Sequence, residues 1–213
     1  MSDSRAARQR AAETKRQRSR SAILEAATRL FEEHGWYPTT VDAIATEAGV
    51  GVATVYNHFP NKNVIAGLVF LPVVDDLIKD PRWSDEAVPP PEALRAFVGE
   101  LVHRVRERVR LTIALLEAVN DSTARHGTTI TEDDPRYWVP LPPVFSMIIG
   151  RGQAGGHFLD YPPASDAGPF FSNMLLLRVL TRPEESATAT TRLILTVLMR
   201  TFGVTDPGSS ADR

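Results

Sequence analysis

The stretch GVATVYNHFPNK, residues Gly51 to Lys62, decides how the rest of the chain reads. Val55 and Phe59 stand four residues apart, so a short helix there has one apolar face. Tyr56, Asn57 and His58 fan across its other side, with Val52, Ala53 and Thr54 one turn earlier. Pro60-Asn61-Lys62 cuts the segment off, and Asn61 is placed to cap a fourth helix starting at Lys62. Just upstream, Thr39-Thr40 opens another helix with a hydroxyl free to take an orphan N–H. Its apolar stripe is Val41, Ile44, Ala45 and Ala48; Gly49 ends it and Val50 plugs the gap. Before that, Ser21 to His34 places Ile23, Ala26, Ala27, Leu30 and Phe31 at helical spacing, with Ser21 as cap and Gly35 as stop. Three short helices, the last two joined by a tight glycine turn, make a helix-turn-helix. Its third helix is the one that fits a DNA major groove.

The side chains suit that role. Phenol, imidazole and hydroxyl groups are neutral donors with reach to phosphate oxygens. Lys62, with the free N–H groups opening the fourth helix, is expected to form an anion site. Asn57 can read a base edge bidentately, adenine best, while Val52 and Ala53 offer apolar contact to a thymine methyl. Singly, Tyr56 and His58 are ordinary surface residues; the combination of turn glycine, threonine cap, aromatic–histidine tip and capped lysine favours recognition.

Residues 21 to 65 resemble the DNA-binding domain of the tetracycline-repressor (TetR) family. The resemblance rests on Ile23-x-x-Ala26-Ala27-x-x-Leu30-Phe31-x-x-x-Gly35-Trp36, on Thr39-Thr40-Val41-x-x-Ile44-Ala45-x-x-Ala48-Gly49-Val50, and on Thr54-Val55-Tyr56-x-His58-Phe59-x-Asn61-Lys62. It implies a dimeric repressor whose larger C-terminal domain binds a small molecule. It implies phosphate contacts from Thr40, Thr54, Tyr56, His58 and Lys62, and base contacts from Val52, Ala53 and Asn57. Two departures matter. Gly51 stands where the family often has a capping Ser, and Val52 where polar residues are common. No Arg or Lys lies between Gly51 and Phe59.

The 213 residues and 43% hydrophobic content allow a substantial core. The chain has no cysteine, which excludes disulfides, thiolate metal sites and Cys nucleophiles and fits a reducing cytoplasm. No apolar run approaches the ~20 residues of a membrane span, and the N-terminus has no apolar signal core. A formal net charge of -2 hides an asymmetry. Within residues 1–20, Arg5, Arg8, Arg10, Lys15, Arg16, Arg18 and Arg20 face only Asp3 and Glu13. This basic arm is expected to be disordered. It reads as a contact for a polyanion, as a solvated tail, or as a transit peptide, against which its two acids argue.

Beyond the fourth helix, which either ends near Leu71 ahead of Pro72, the favoured reading, or continues toward Lys79 with a kink at that proline, the pattern is helical again. Segments fall at 92–110, 111–121, 144–154, 164–180 and 184–202, and Thr181-x-x-Glu184 resembles a capping box for the last. The fold class is therefore all-α: a basic arm (1–20), a helix-turn-helix domain (21–65), a larger C-terminal ligand-binding and dimerisation domain (66–203) and a tail (204–213). Leu101, Val105, Leu115, Phe145, Phe170 and Met174 are candidates to line a pocket between helices. Asn120 and Arg178, polar residues in apolar stretches, are candidates to touch a ligand or a second subunit; ordinary core packing is the competing reading for the apolar set. Leu175, Leu176, Val179, Ile194, Leu195 and Leu198 are expected to form an isologous dimer interface.

Several motifs are decoys. Gly150-Arg151-Gly152-Gln153-Ala154-Gly155 spells GxGxxG without the strand before it or the acid twenty residues on, so a helix end is the better reading. His157-x-x-Asp160 and His103-x-x-x-Glu107 lack a third ligand, so no metal is expected. Neither GxSxG nor a carboxylate pair is present, so no enzyme activity and no cofactor are expected. The expected partners are a palindromic DNA operator, an unknown small molecule and a second copy of the chain, and no membrane. The alternatives are an activator, or an all-α binding protein or enzyme with an incidental helix-turn-helix.

Overall fold

A computed structural model describes residues 2–127 and 129–204. The described residues are helical, with no strand: α1 (Ser2–His34), α2 (Val41–Glu47), α3 (Val52–His58), α4 (Lys62–Ile78), α5 (Pro90–Glu107), α6 (Val109–His126), α7 (Pro135–Trp138), α8 (Leu141–Ala154), α9 (Ala164–Thr181) and α10 (Ala187–Thr201), with a 3-10 turn at Pro81–Trp83. The expected tail lies, from residue 205 on, outside the described residues.

The chain forms two compact units, Met1–Leu71 with Ile113–Trp138, and Pro72–Thr112 with Val139–Arg213. The first unit is thus larger than the helix-turn-helix segment. Residues 113–138, expected in the C-terminal domain, cluster with it instead. Polar pairs cross to it: Asn63 donates to Asp121 at 2.9 Å, Asn61 to the Asp133 carbonyl at 3.1 Å, and Tyr37 to Glu117 at 2.7 Å; Gly67 also packs against Pro135. Hydrophobic periodicity carries no trace of such pairs.

In this unit α1, α2 and α3 pack together around Ile23, Ala26, Phe31, Ile44, Val55 and Phe59, all essentially water-free. Short-range signals fix the turns. Gly35 and Gly49 adopt positive φ (77° and 65°), a conformation that favours glycine, where α1 and α2 stop. The two threonines divide their work. Thr40 caps α2, accepting from the Ala43 N–H at 3.1 Å. Thr39 is buried and donates back to the Gly35 carbonyl at 2.8 Å. Asn61 Oδ1 takes the Val64 N–H at 2.8 Å and so caps α4.

Two expectations about α1 and α4 need correction. The arm is not disordered: α1 begins at Ser2, so Ser21 caps nothing. Residues 6–20 contain no Gly or Pro and are rich in Ala, Arg, Gln, Glu and Lys, the strongest helix formers. Helix α4 does not end near Leu71 but runs on to Ile78 with Pro72 inside it. Burial of Val69, Phe70, Val74 and Leu77 along the helix offsets the missing N–H and steric cost of the proline, about 3 kcal/mol.

In the second unit α8 packs on α9, and α5 contacts both α8 and α10. Its core includes Phe97, Leu101, Val105, Phe145, Ile148 and Phe171. The GxGxxG run is the end of α8, with Gly155 as C-cap. Gly152 lies against the Phe158 ring, 2.0 Å from where a Cβ would stand, so packing requires a glycine there. The expected capping box is absent. Thr181 is the last residue of α9, its hydroxyl bonded to the Leu177 carbonyl, and Ser186 caps α10 by accepting from the Ala189 N–H at 3.2 Å.

The dimer-interface expectation also fails as placed. Leu175, Val179, Ile194 and Leu198 are 0–1% exposed in the single chain, and Leu176 is buried too. They face their own bundle. The apolar side chains that α9 and α10 present outward are Phe170, Leu177, Leu193 and Val197. Helix α9 is apolar nearly all round, so periodicity cannot say which stripe faces inward.

Candidate nucleic-acid interface

Helix α3 is seven residues long, entered from the Gly49 turn. Its N-cap Gly51 supplies no side-chain bond, as the missing serine implies. Val55 and Phe59 are buried, which turns the other side of the helix outward. On that side Ala53, Asn57 and Tyr56 are exposed, Tyr56 by 53%; Val52, Thr54 and His58 are half-buried. The six side chains singled out in the sequence therefore share one accessible surface, with no acid among them. Thr40 is exposed at the start of α2, although its hydroxyl oxygen is already engaged by the Ala43 N–H.

Lys62 is the exception, and the anion site expected there does not form. Its ammonium donates to the carbonyls of Thr39 (2.9 Å) and Trp36 (3.0 Å) and sits 3.7 Å from the centre of the Trp36 ring. Burial pushes its pKa below the usual lysine value, and nearby Asp121 partly offsets this. The lysine staples the α1–α2 connection rather than projecting toward a ligand. A side chain four carbons long reaches whatever lone pairs lie nearby, and here the connection between α1 and α2 offers them.

The sequence reading missed what stands beside α3. The Arg20 guanidinium lies 4.6 Å from the centre of the Phe59 ring. Arg16, one turn earlier on α1, and Arg20 both lower the His58 pKa, after burial, which is the larger cause. At neutral pH His58 is therefore an uncharged imidazole flanked by two permanent cations. The signal existed: Arg16 and Arg20 are four residues apart, and the helical register of Ile23 and Ala27 continues back through them. Treating the arm as disordered hid it. Arg29, further along α1, is paired with Glu47 at 2.9 Å.

The ligand candidates are not brought together as one set. Leu115 and Asn120 belong to the first unit; Leu101, Val105, Phe145, Phe170, Met174 and Arg178 belong to the second. Leu101, Val105 and Phe145 are fully buried core, whereas Phe170 is 63% exposed. Arg178 already has an acid of its own chain, donating from Nε to Glu185 at 3.0 Å. Among the described residues no group of three or more His, Asp or Glu side chains could hold a metal, and no helix is long and apolar enough to cross a membrane.

Comparison with known proteins agrees with this arrangement. Residues 23–67 match the model of the "Bacterial regulatory proteins, tetR family". The chain is 30% identical over 111 residues to the HTH-type transcriptional regulator YhgD of Bacillus subtilis, covering 52% of this chain and 56% of that protein. It is 38% identical over 76 residues to the HTH-type transcriptional regulator HbdR of an Aromatoleum species, covering 35% and 33%. The matches thus span about half or less of the curated relatives' lengths. Among solved structures, FadR of Thermus thermophilus, a TetR family transcriptional repressor crystallised with lauroyl-CoA, superposes with a TM-score of 0.67 at 18% identity, covering 91% of this chain and 99% of that one. SmeT, the repressor of a Stenotrophomonas maltophilia efflux pump, superposes at 0.60 with 22% identity, covering 91% and 96%. Residues 23–67 thus match the helix-turn-helix of the tetR family of bacterial regulatory proteins, and the all-α fold over the rest is similar to that of these solved structures.

Proposed function

We propose that this protein is a ligand-responsive, DNA-binding transcriptional regulator that acts in the cytoplasm, not an enzyme. It binds a palindromic operator as a homodimer and is released by a small molecule, which makes it a repressor. The observation that carries the reading is the α3 surface: Val55 and Phe59 inward, Tyr56, Asn57 and Ala53 outward. Asn57, Val52 and Ala53 read bases, while Tyr56, His58, Thr54 and Thr40 position the backbone.

One α3 is too short and too weakly charged to hold DNA tightly alone. Two copies on a rigid dimer gain through effective concentration and impose two-fold symmetry on the operator. Phe170 and Leu177 of α9, with Leu193 and Val197 of α10, are the exposed apolar side chains that a second copy would cover. The inducer binds in the second unit, and release requires that it favour a conformation of lower DNA affinity.

The test is selection of fragments from sheared genomic DNA. A palindromic motif retained by the protein and lost in Tyr56→Ala/Asn57→Ala supports the regulator. No motif from a folded protein overturns it. A reporter driven by the recovered operator separates repression from activation by the sign of the change on deletion.

A further inference from the structure

We infer that the exposed N-terminal half of α1 is a second DNA-contacting element, a basic helical rod that supplies the phosphate affinity the helix-turn-helix lacks. This rests on the DNA-binding reading above and deepens it.

The argument starts from charge. From Gly35 to Lys62 the only lysine or arginine is Lys62, and its ammonium is committed to two main-chain carbonyls and the Trp36 ring. Arg29 is paired with Glu47. Non-specific attraction to a duplex comes from cations that neutralise phosphates and release counterions, so it must come from elsewhere. Arg16 and Arg20 adjoin α3 at His58 and Phe59. Arg18 between them, and Arg8, Arg10 and Lys15 before them, lie along the same helix, exposed, against a single acid, Glu13. Among the described residues none of these six is in an ion pair.

Helix stability does not explain the arrangement. Six like charges within thirteen residues repel one another. A polyanion removes that penalty. Residues 8–18 are exposed throughout and polar around the helix, so they offer no apolar face to insert into a membrane. Residues 8–20 extend roughly 20 Å at 1.5 Å per residue. That is more than half of the ~34 Å turn of a duplex, long enough to follow several phosphates outside the groove that α3 enters.

The experiment compares the full chain with Arg8→Gln/Arg10→Gln/Lys15→Gln/Arg18→Gln and with Tyr56→Ala. Glutamine keeps helix propensity, and the four positions pack on nothing, so circular dichroism should be unchanged. Binding to a random-sequence duplex of about 40 base pairs is followed by fluorescence anisotropy across a salt series. With the rod engaged, the quadruple variant loses about 3 to 4 from the slope of log K against log salt and binds at least about tenfold more weakly near 100 mM salt. Tyr56→Ala keeps most of the slope while losing the genomic motif. An unchanged slope in the quadruple variant overturns the inference and leaves the regulator standing. Rod-dependent binding without any genomic motif supports the inference and overturns the operator reading. No binding to duplex at low salt overturns both.

Discussion

The two units hold themselves together in different ways. The first closes the turns of its helix-turn-helix on signals a few residues apart: Gly35 and Gly49 at positive φ, Thr40 on Ala43, Asn61 on Val64. The second closes on arginines that cross long stretches of sequence to reach main-chain carbonyls. Arg151 donates to the carbonyls of Trp83 (2.6 Å), Val88 (3.0 Å) and Asp85. Arg106 donates to the carbonyls of Arg182 and Pro183 and to Glu185 and Thr190, its side chain only 6% exposed. The first strategy writes the fold into local sequence. The second spends charge on loops whose carbonyls have no ladder partner, and only assembly reveals the donor.

The largest expected effect tests the second strategy. Arg106→Ala leaves Glu185 short of one cation and strands the Pro183 carbonyl, so urea unfolding should show a loss of about 3–5 kcal/mol. A loss below about 1 kcal/mol would mean the arginine is a bystander. Next is Lys62→Ala, which removes a long-reach cation of the first unit. It should cost about 1–3 kcal/mol of stability while leaving the salt slope of DNA binding unchanged. A lost slope with unchanged stability would return Lys62 to the phosphates.

Acid sharpens the contrast. Hydrogen bonds from Arg178 and then Thr190 hold the Glu185 carboxyl at about 2, against 4.5 unperturbed. A depressed carboxylate stabilises the fold above its unfolded pKa and loses that contribution as pH falls toward the folded one. Stability of the wild type should therefore fall between about pH 4.5 and 2 more steeply than that of Glu185→Gln; parallel curves would exclude this carboxylate as the cause. Smaller effects test the local signals. Thr40→Ala should cost about 1 kcal/mol through the lost cap. Gly51→Ser should gain a few tenths of a kcal/mol, because a serine there can accept from the first turn of α3. Gly51 has φ -74°, and an added Cβ would meet only the Thr54 hydroxyl at 3.9 Å. Thermal melts of both variants check the pair.

What the sequence by itself determined is the part written at short range. The helix-turn-helix, its glycine stops, the caps at Thr40 and Asn61 and the outward face of α3 follow from patterns within four residues, where backbone geometry leaves few choices. The tertiary structure decided everything that depends on which face meets which partner. It turned Lys62 from a phosphate contact into a staple, because two carbonyls and an indole ring lie within reach of its ammonium. It gave Arg178 the acid Glu185 and buried Leu175, Val179, Ile194 and Leu198 in their own bundle, leaving Phe170, Leu177, Leu193 and Val197 outside. It joined residues 113–138 to the first unit, where single polar pairs and the packing of Pro135 on Gly67 meet. An apolar helix face or a long charged side chain is degenerate in one dimension, and its partner is fixed only when segments far apart in the chain come into contact.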